Sequence, residues 1–221
     1  MLKLCLASVL ILPLLTIGCA NSNNSGGSRA ETNTLGEMRP PDVNNMPMPR
    51  HAGLISDYSV LKPSPEFPGT LVWRSPKLAE YKRFIVDHVQ IIPSTSTRGV
   101  PVTEREKQRL AADFRFEIVD TLQATHPVIT VPAPKTARVK VAVTEVARSA
   151  GPNNDWFRWE GGAAAEVAIV DSQTGEPLAS AIDSSMVTTR EPGRVTDPYE
   201  DTKLVFRHWA ARLGRWIMSP K

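Results

Sequence analysis

Cysteine is nearly missing from this chain of 221 residues: there are two, Cys5 and Cys19, both close to the N-terminus. Everything after residue 19 therefore has no thiolate ligand and no disulfide, so it must be held together by its core alone. Histidine is also scarce. The four residues, His51, His88, His126 and His208, include no pair at the i,i+4 spacing that puts two imidazoles on one helix face, so no metal and no other cofactor is expected. Basic clusters are lacking as well. The 26 Lys and Arg are nearly matched by 23 Asp and Glu, for a formal charge of +3, and no Lys/Arg-rich block occurs, which argues against nucleic acid as a partner. There is no G-x-S-x-G elbow and no phosphate-binding loop lysine motif. No catalytic residues are assigned on sequence grounds, and the chain is not expected to be an enzyme.

One long apolar run is present, and it comes first. Residues 1–18, MLKLCLASVLILPLLTIG, have Lys3 followed by an almost uninterrupted apolar stretch broken by Ser8, Pro13 and Thr16. That is the n-region and h-region of a secretory signal, too short and lopsided for a stable transmembrane span. It ends Leu15-Thr16-Ile17-Gly18-Cys19, which resembles the lipobox of bacterial lipoproteins, with Thr16 where that pattern usually has Leu, Val or Ile. The resemblance implies diacylglyceryl attachment at Cys19 and membrane lipid as a partner. Two or more acyl chains hold a protein to a bilayer where one does so only marginally, at about 0.8 kcal/mol per buried CH₂. Ala20 is not the aspartate that commonly signals inner-membrane retention, so the outer membrane is expected, with the domain facing the periplasm. Removing Lys3 with the leader leaves a charge of +2.

Residues 19–50 continue as Asn, Ser and Gly, then Pro and Met, with no apolar periodicity, and read as the lipidated N-terminus and a flexible tether. About 30 such residues give a root-mean-square span of roughly 30 Å, and they are expected to contribute nothing to folding. Residues 51–221 read as one domain. Its clearest local signal is Thr103-Glu104-Arg105-Glu106, a capping box, followed by Leu110, Phe114, Ile118 and Leu122 at spacing four. That helix must stop by His126, ahead of Pro127. A second helix is expected from a cap at Asp197 with Pro198 at its first position, Glu200 completing a capping box, and a buried stripe of Val205, Trp209, Leu213, Trp216 and Ile217. Strands are expected at 71–73, 81–92, 128–131, 137–146, 163–171 and 178–187, the last two joined by a hairpin turn at Gly175. The fold class is α+β: a mostly antiparallel sheet of about five strands with two helices on one face. Ala163, Ala165, Ala179 and Ala181 would let a helix approach closely.

Three stretches are candidates for function. Asp87-His88 resembles an acid–base pair, but neighbours on a strand point to opposite faces, so a buried, satisfied Asp87 is the simpler reading. Asp57-Tyr58 with Lys62 either lines a groove or belongs to an N-terminal segment laid on the domain and held by Tyr58 and Leu61. NNDWFRWEGG (153–162) reads as a loop between strands: either Trp156, Phe157, Arg158 and Trp159 form an interaction surface, or Trp156 and Trp159 fold back on the core.

GLISDYSVLKP (53–63), the following LVW, VDHVQI (86–91) and GGAAAEVAIVDSQTGEPL (161–178) together resemble an uncharacterised bacterial lipoprotein family, domain of unknown function 3313, from about residue 50 to the C-terminus. The resemblance implies a Gram-negative envelope lipoprotein. The layout is also similar, at the level of fold alone, to small periplasmic lipoprotein domains that activate or assemble envelope machinery. The expected function is a membrane-anchored, non-catalytic interaction or assembly module whose partner is an envelope protein or cell-wall glycan. A cell-wall-acting enzyme and a small-ligand-binding lipoprotein are the alternatives.

Overall fold

A computed structural model describes residues 37–38, 50–97, 99–149, 159–189 and 197–219. Two helices, α1 (Glu104–Gln123) and α2 (Glu200–Met218), lie on one face of a mixed sheet. Its strands are β1 (Glu37–Met38), β2 (Lys62–Pro63), β3 (Leu71–Arg74), β4 (Arg83–Val86), β5 (Gln90–Ile91), β6 (Thr136–Ala147), β7 (Trp159–Asp171) and β8 (Pro177–Thr189). The main path runs β2-β3-β8-β7-β6-β4, with β1 on β8 and β5 on β6. Pairing is antiparallel except where β4 and β5 run parallel to β6. The α+β class holds, with eight strands among the described residues in place of about five.

The extra strands have local causes. The stretch 81–92 is two strands, β4 and β5: the Asp87 N–H still donates to the Val139 carbonyl at 3.0 Å, and the ladder then breaks at His88 and Val89. Asp87 is half-buried and pairs with Arg138 at 2.6 Å, so it is satisfied but not enclosed, while His88 is exposed. The short strand expected over 128–131 is a single bridge from Val128 to Phe84. Pro127 and Pro132 bracket that stretch and remove ladder donors, and Val131 is 68% exposed. Within the tether, Glu37 and Met38 pair with Thr188 and Val187, so that segment does supply a strand.

Helix α1 begins as its sequence requires. Thr103 Oγ1 accepts the Glu106 N–H at 3.2 Å and Glu106 accepts the Thr103 N–H at 2.8 Å. Helix α2 starts later than expected. Asp197 accepts the Tyr199 N–H at 3.0 Å in a turn ahead of the helix, and Tyr199 takes the cap position without a side-chain cap. Asp197 spends its other contacts on Arg109 at 2.9 Å and Lys203 at 3.0 Å, tying the starts of the two helices together. At the far end the Arg74 guanidinium donates to the carbonyls of Trp216 (2.7 Å), Ser219 (2.9 Å) and Ile217 (3.2 Å), filling orphan acceptors of the last turn.

The core lies between helices and sheet. Leu110, Phe114, Ile118 and Leu122 face Val205, Phe206, Trp209 and Ala210, with the Phe114 and Phe206 rings stacked 4.3 Å apart. Below them Val139, Val141, Val143, Ala163, Ala165, Ile169 and Ala179 form the inner sheet face, and Ala181 is half-buried. In the α2 stripe Trp216 is only half-buried, while Phe206, Ala210 and Gly214 are buried members that spacing alone does not name. The first turn of α2 presses so close to β7 that a Cβ on Gly161 would sit 2.5 Å from Asp201 Cβ. Asp201 is buried there, and burial pushes its carboxyl above the usual range despite the hydrogen bond from Ser149 at 2.7 Å.

The hairpin between β7 and β8 is built round Asp171. One carboxylate oxygen accepts the N–H groups of Gln173 and Thr174, each at 2.8 Å, and the other accepts the Tyr81 hydroxyl at 2.8 Å. The Thr174 N–H first, and then Tyr81, hold the Asp171 carboxyl at about 2 against an ordinary 3.8. Desolvation first, and then Asp171, push the Tyr81 hydroxyl from 10.0 to about 12. A depressed folded-state carboxyl contributes stability that is complete above the unfolded value and disappears as protons bind in the fold. The expected result is a urea midpoint that declines as pH falls from 3.8 towards 2, with a shallower decline in Asp171→Asn. An acid limb of equal slope in the variant would contradict the assignment.

Candidate functional site

Along β7 the side chains alternate, and Ala163, Ala165 and Ile169 face the helices. The residues between them, Ala164, Glu166 and Ala168, point to the face that carries no helix, yet all three are buried. Ala142 shares that face, paired in register with Glu166. A glutamate that is 0% exposed demands donors, since a buried carboxylate without them costs several kcal/mol.

The donors come from the segment that follows the tether. Glu166 Oε2 accepts the Ala52 N–H at 2.7 Å, Oε1 accepts the Ile55 N–H at 2.7 Å, and the Tyr58 hydroxyl donates to the same carboxylate at 2.9 Å and 3.1 Å from its two oxygens. These are charge-assisted bonds, shorter and stronger than neutral ones. The Tyr58 hydroxyl accepts the Gly53 N–H at 3.0 Å, and the His51 ring stacks on Tyr58 at 3.8 Å. Burial, and then the hydrogen bond and charge of Glu166, push that hydroxyl above its ordinary range, although the Gly53 N–H works the other way. Gly53 has φ +80°, a conformation that side chains disfavour, and it is what brings the N–H groups on either side of it round to one carboxylate.

The segment is also fastened upstream and downstream. Arg50 Nε pairs with Glu145 at 2.7 Å, and the Arg50 N–H reaches Thr144 Oγ1 at 3.4 Å. Asp57 accepts from the Ser59 N–H at 2.9 Å and its hydroxyl at 2.6 Å, capping a 3-10 turn over Tyr58–Val60. The hydroxyl and the N–H of Ser59 both hold the Asp57 carboxyl below its usual range. Ile55 is buried at 5% exposure. Residues 50–61 thus form a strap across the helix-free face, and of the two readings of Asp57, Tyr58 and Lys62 it is the segment laid on the domain that is realised. Tyr58 is its fastening; Leu61 is half-buried.

A carboxylate that already accepts three donors is a fastening, not a free base. Among the described residues no group of three His, Cys, Asp or Glu is placed to hold a metal ion, and no helix is long and apolar enough to cross a membrane. Cys19, Trp156, Phe157 and Arg158 lie outside the described residues. Trp159 opens β7 opposite Thr189, so 159–162 belongs to a strand where the sequence reads as loop. Sequence reasoning passed over Glu166, although a single acid inside the otherwise uncharged run GGAAAEVAIV was its signal.

Residues 50–155 match the model of a family described as a protein of unknown function (DUF3313), a span that includes the strap and ends before Glu166. No curated protein matches the chain. Among solved structures it is similar to the PelC dodecamer from Paraburkholderia phytofirmans, at 15% identity and TM-score 0.43 over 69% of this chain and 98% of that one. It is also similar to a protein from Xanthomonas campestris, at 9% identity and TM-score 0.42 over 65% and 88%. Lipoprotein GNA1162 from Neisseria meningitidis is similar at 14% identity and TM-score 0.35 over 62% and 99%.

Proposed function

We propose that this chain, a DUF3313-like protein over residues 50–155, is a lipid-anchored envelope protein that works as a non-catalytic interaction or assembly module. In this reading it is held to the outer membrane through acylated Cys19, with the domain facing the periplasm. The observation that carries the reading is the strap. The most enclosed carboxylate on the helix-free face, Glu166, is spent on holding the chain just where it leaves the tether. That arrangement fixes where an anchored chain enters its domain, and it commits the Glu166 carboxylate to three donors. Its partner on this reading is an envelope protein or cell-wall glycan.

Cell fractionation of Cys19→Ala tests the anchor. The expected outcome is a shift of the protein from the membrane fraction to the soluble fraction, because the leader alone does not hold it. A variant that stays with the membrane as the wild type does would remove the basis of this reading.

A further inference from the structure

The anchored chain first meets its domain at one end of the sheet. β6 finishes at Ala147 opposite Gly162 of β7, and β7 begins at Trp159 opposite Thr189, where β8 finishes. β1 pairs with Val187 and Thr188 at that end, and the strap enters at Thr144 and Glu145, close to the end of β6. Because β1 already belongs to the sheet, the chain between Cys19 and the domain is residues 20–36, which is 17 residues. A run of that length and composition spans about 23 Å root mean square. β8 has 13 residues and is about 44 Å long. Bringing the other end of the sheet to the bilayer would make the tether run back along nearly the whole of β8.

The same end carries apolar surface on a fastened loop. After β5 the chain follows the last residues of β6, with the Ile92 N–H donating to the Val143 carbonyl at 3.0 Å and the Thr97 N–H to the Val146 carbonyl at 2.9 Å. The loop closes on itself through the Ser96 N–H to the Val100 carbonyl at 2.8 Å and the Val102 N–H to the Ser94 carbonyl at 2.9 Å, with Gly99 at φ +73°. Held in this way, Ile92 and Val100 stay 47% and 39% exposed. Cations around this end are already matched: Arg50 pairs with Glu145, Arg109 with Asp197 and Arg148 with Glu106.

From this we infer that the domain rests end-on against the lipid bilayer, with Ile92 and Val100 in the interface between headgroups and acyl chains. The inference rests on the anchored-module reading and deepens it, naming the surface that the domain keeps on its membrane. Two apolar side chains bury too little to hold a free protein on a bilayer. On a chain already tethered nearby, contact is intramolecular, at an effective concentration of order mM, and a weak contact suffices. The opposite end, with the hairpin round Asp171 and the exposed Val131, then faces away from the membrane.

The test uses the acylated full chain, in which no cysteine follows Cys19, so that Ile92→Cys, Val100→Cys and Val131→Cys each offer one free thiol for a fluorophore. All three sites are exposed, and Val131 follows the Val128 bridge to Phe84 near the start of β6, at the other end of the sheet. Each labelled chain is bound to phosphatidylcholine vesicles that carry nitroxide-labelled acyl chains. Quenching is expected to be at least about threefold stronger at 92 and 100 than at 131, which lies about 40 Å away along the strands. The difference should persist in high salt, since the contact is apolar. Equal quenching at the three positions in chains that float with the vesicles, or a difference that vanishes in high salt, overturns the inference and leaves the anchor intact. A chain that does not float with the vesicles overturns the anchor and this inference together.

Discussion

Glu166→Ala is expected to lower the unfolding free energy by about 2–4 kcal/mol, measured by urea denaturation. The arithmetic starts from three donors, the N–H groups of Ala52 and Ile55 and the Tyr58 hydroxyl, that would lose their acceptor. Each unsatisfied buried polar group costs about 1–3 kcal/mol. The sum has a ceiling, because the strap can lift off and give its donors to water, so the loss cannot exceed the free energy with which the strap is held. Glu166→Gln should cost less, since its amide oxygen still accepts. The Arg50–Glu145 pair adds little to this, because the Arg50 side chain is 79% exposed and its charge is screened. A Glu166→Ala variant within about 0.5 kcal/mol of the wild type would mean that the strap contributes nothing to stability.

The largest effect is expected in the helix layer. Phe206 is fully buried, stacks on Phe114 at 4.3 Å and lies 6.2 Å from Trp209 between ring centres. Phe206→Ala removes that stack and leaves a cavity between α1 and α2 that neither backbone can close, at a cost of about 3–5 kcal/mol. For a domain of this length each kcal/mol lowers Tm by about 2–4 °C, so calorimetry should show a fall of about 6–20 °C. Phe206→Leu, which refills most of the volume, should recover more than half of it. A Phe206→Ala chain that melts with the wild type would contradict the packing described for α1 and α2.

Periodic signals were legible in the sequence and contextual ones were not. The capping box at Thr103 and Glu106 and the stripe Leu110, Phe114, Ile118, Leu122 depend only on residues within one or two turns of each other, and both stand as read. The alternation of Val139, Val141 and Val143 similarly fixes which face of β6 meets the helices. What local pattern cannot supply is a partner far along the chain. The strap donors lie 108 to 114 residues from Glu166, so neither member of the site declares the other. The break in 81–92 escaped for the same reason. Its Ile and Val composition suits a strand throughout, and only pairing with β6 shows that the ladder breaks at His88 and Val89.

Amide hydrogen exchange at Ala52 and Ile55 tests the central claim, that the chain leaving the tether is fastened to a buried carboxylate. Both N–H groups are given to Glu166 at 2.7 Å, so both should exchange at least about a hundredfold more slowly than in an unstructured peptide. In Glu166→Ala both should approach the unstructured rate, while the amides of β6 and β7 keep more of their protection. Exchange at the unstructured rate in the wild-type chain would show that the strap is not held, and the account built on it would fail.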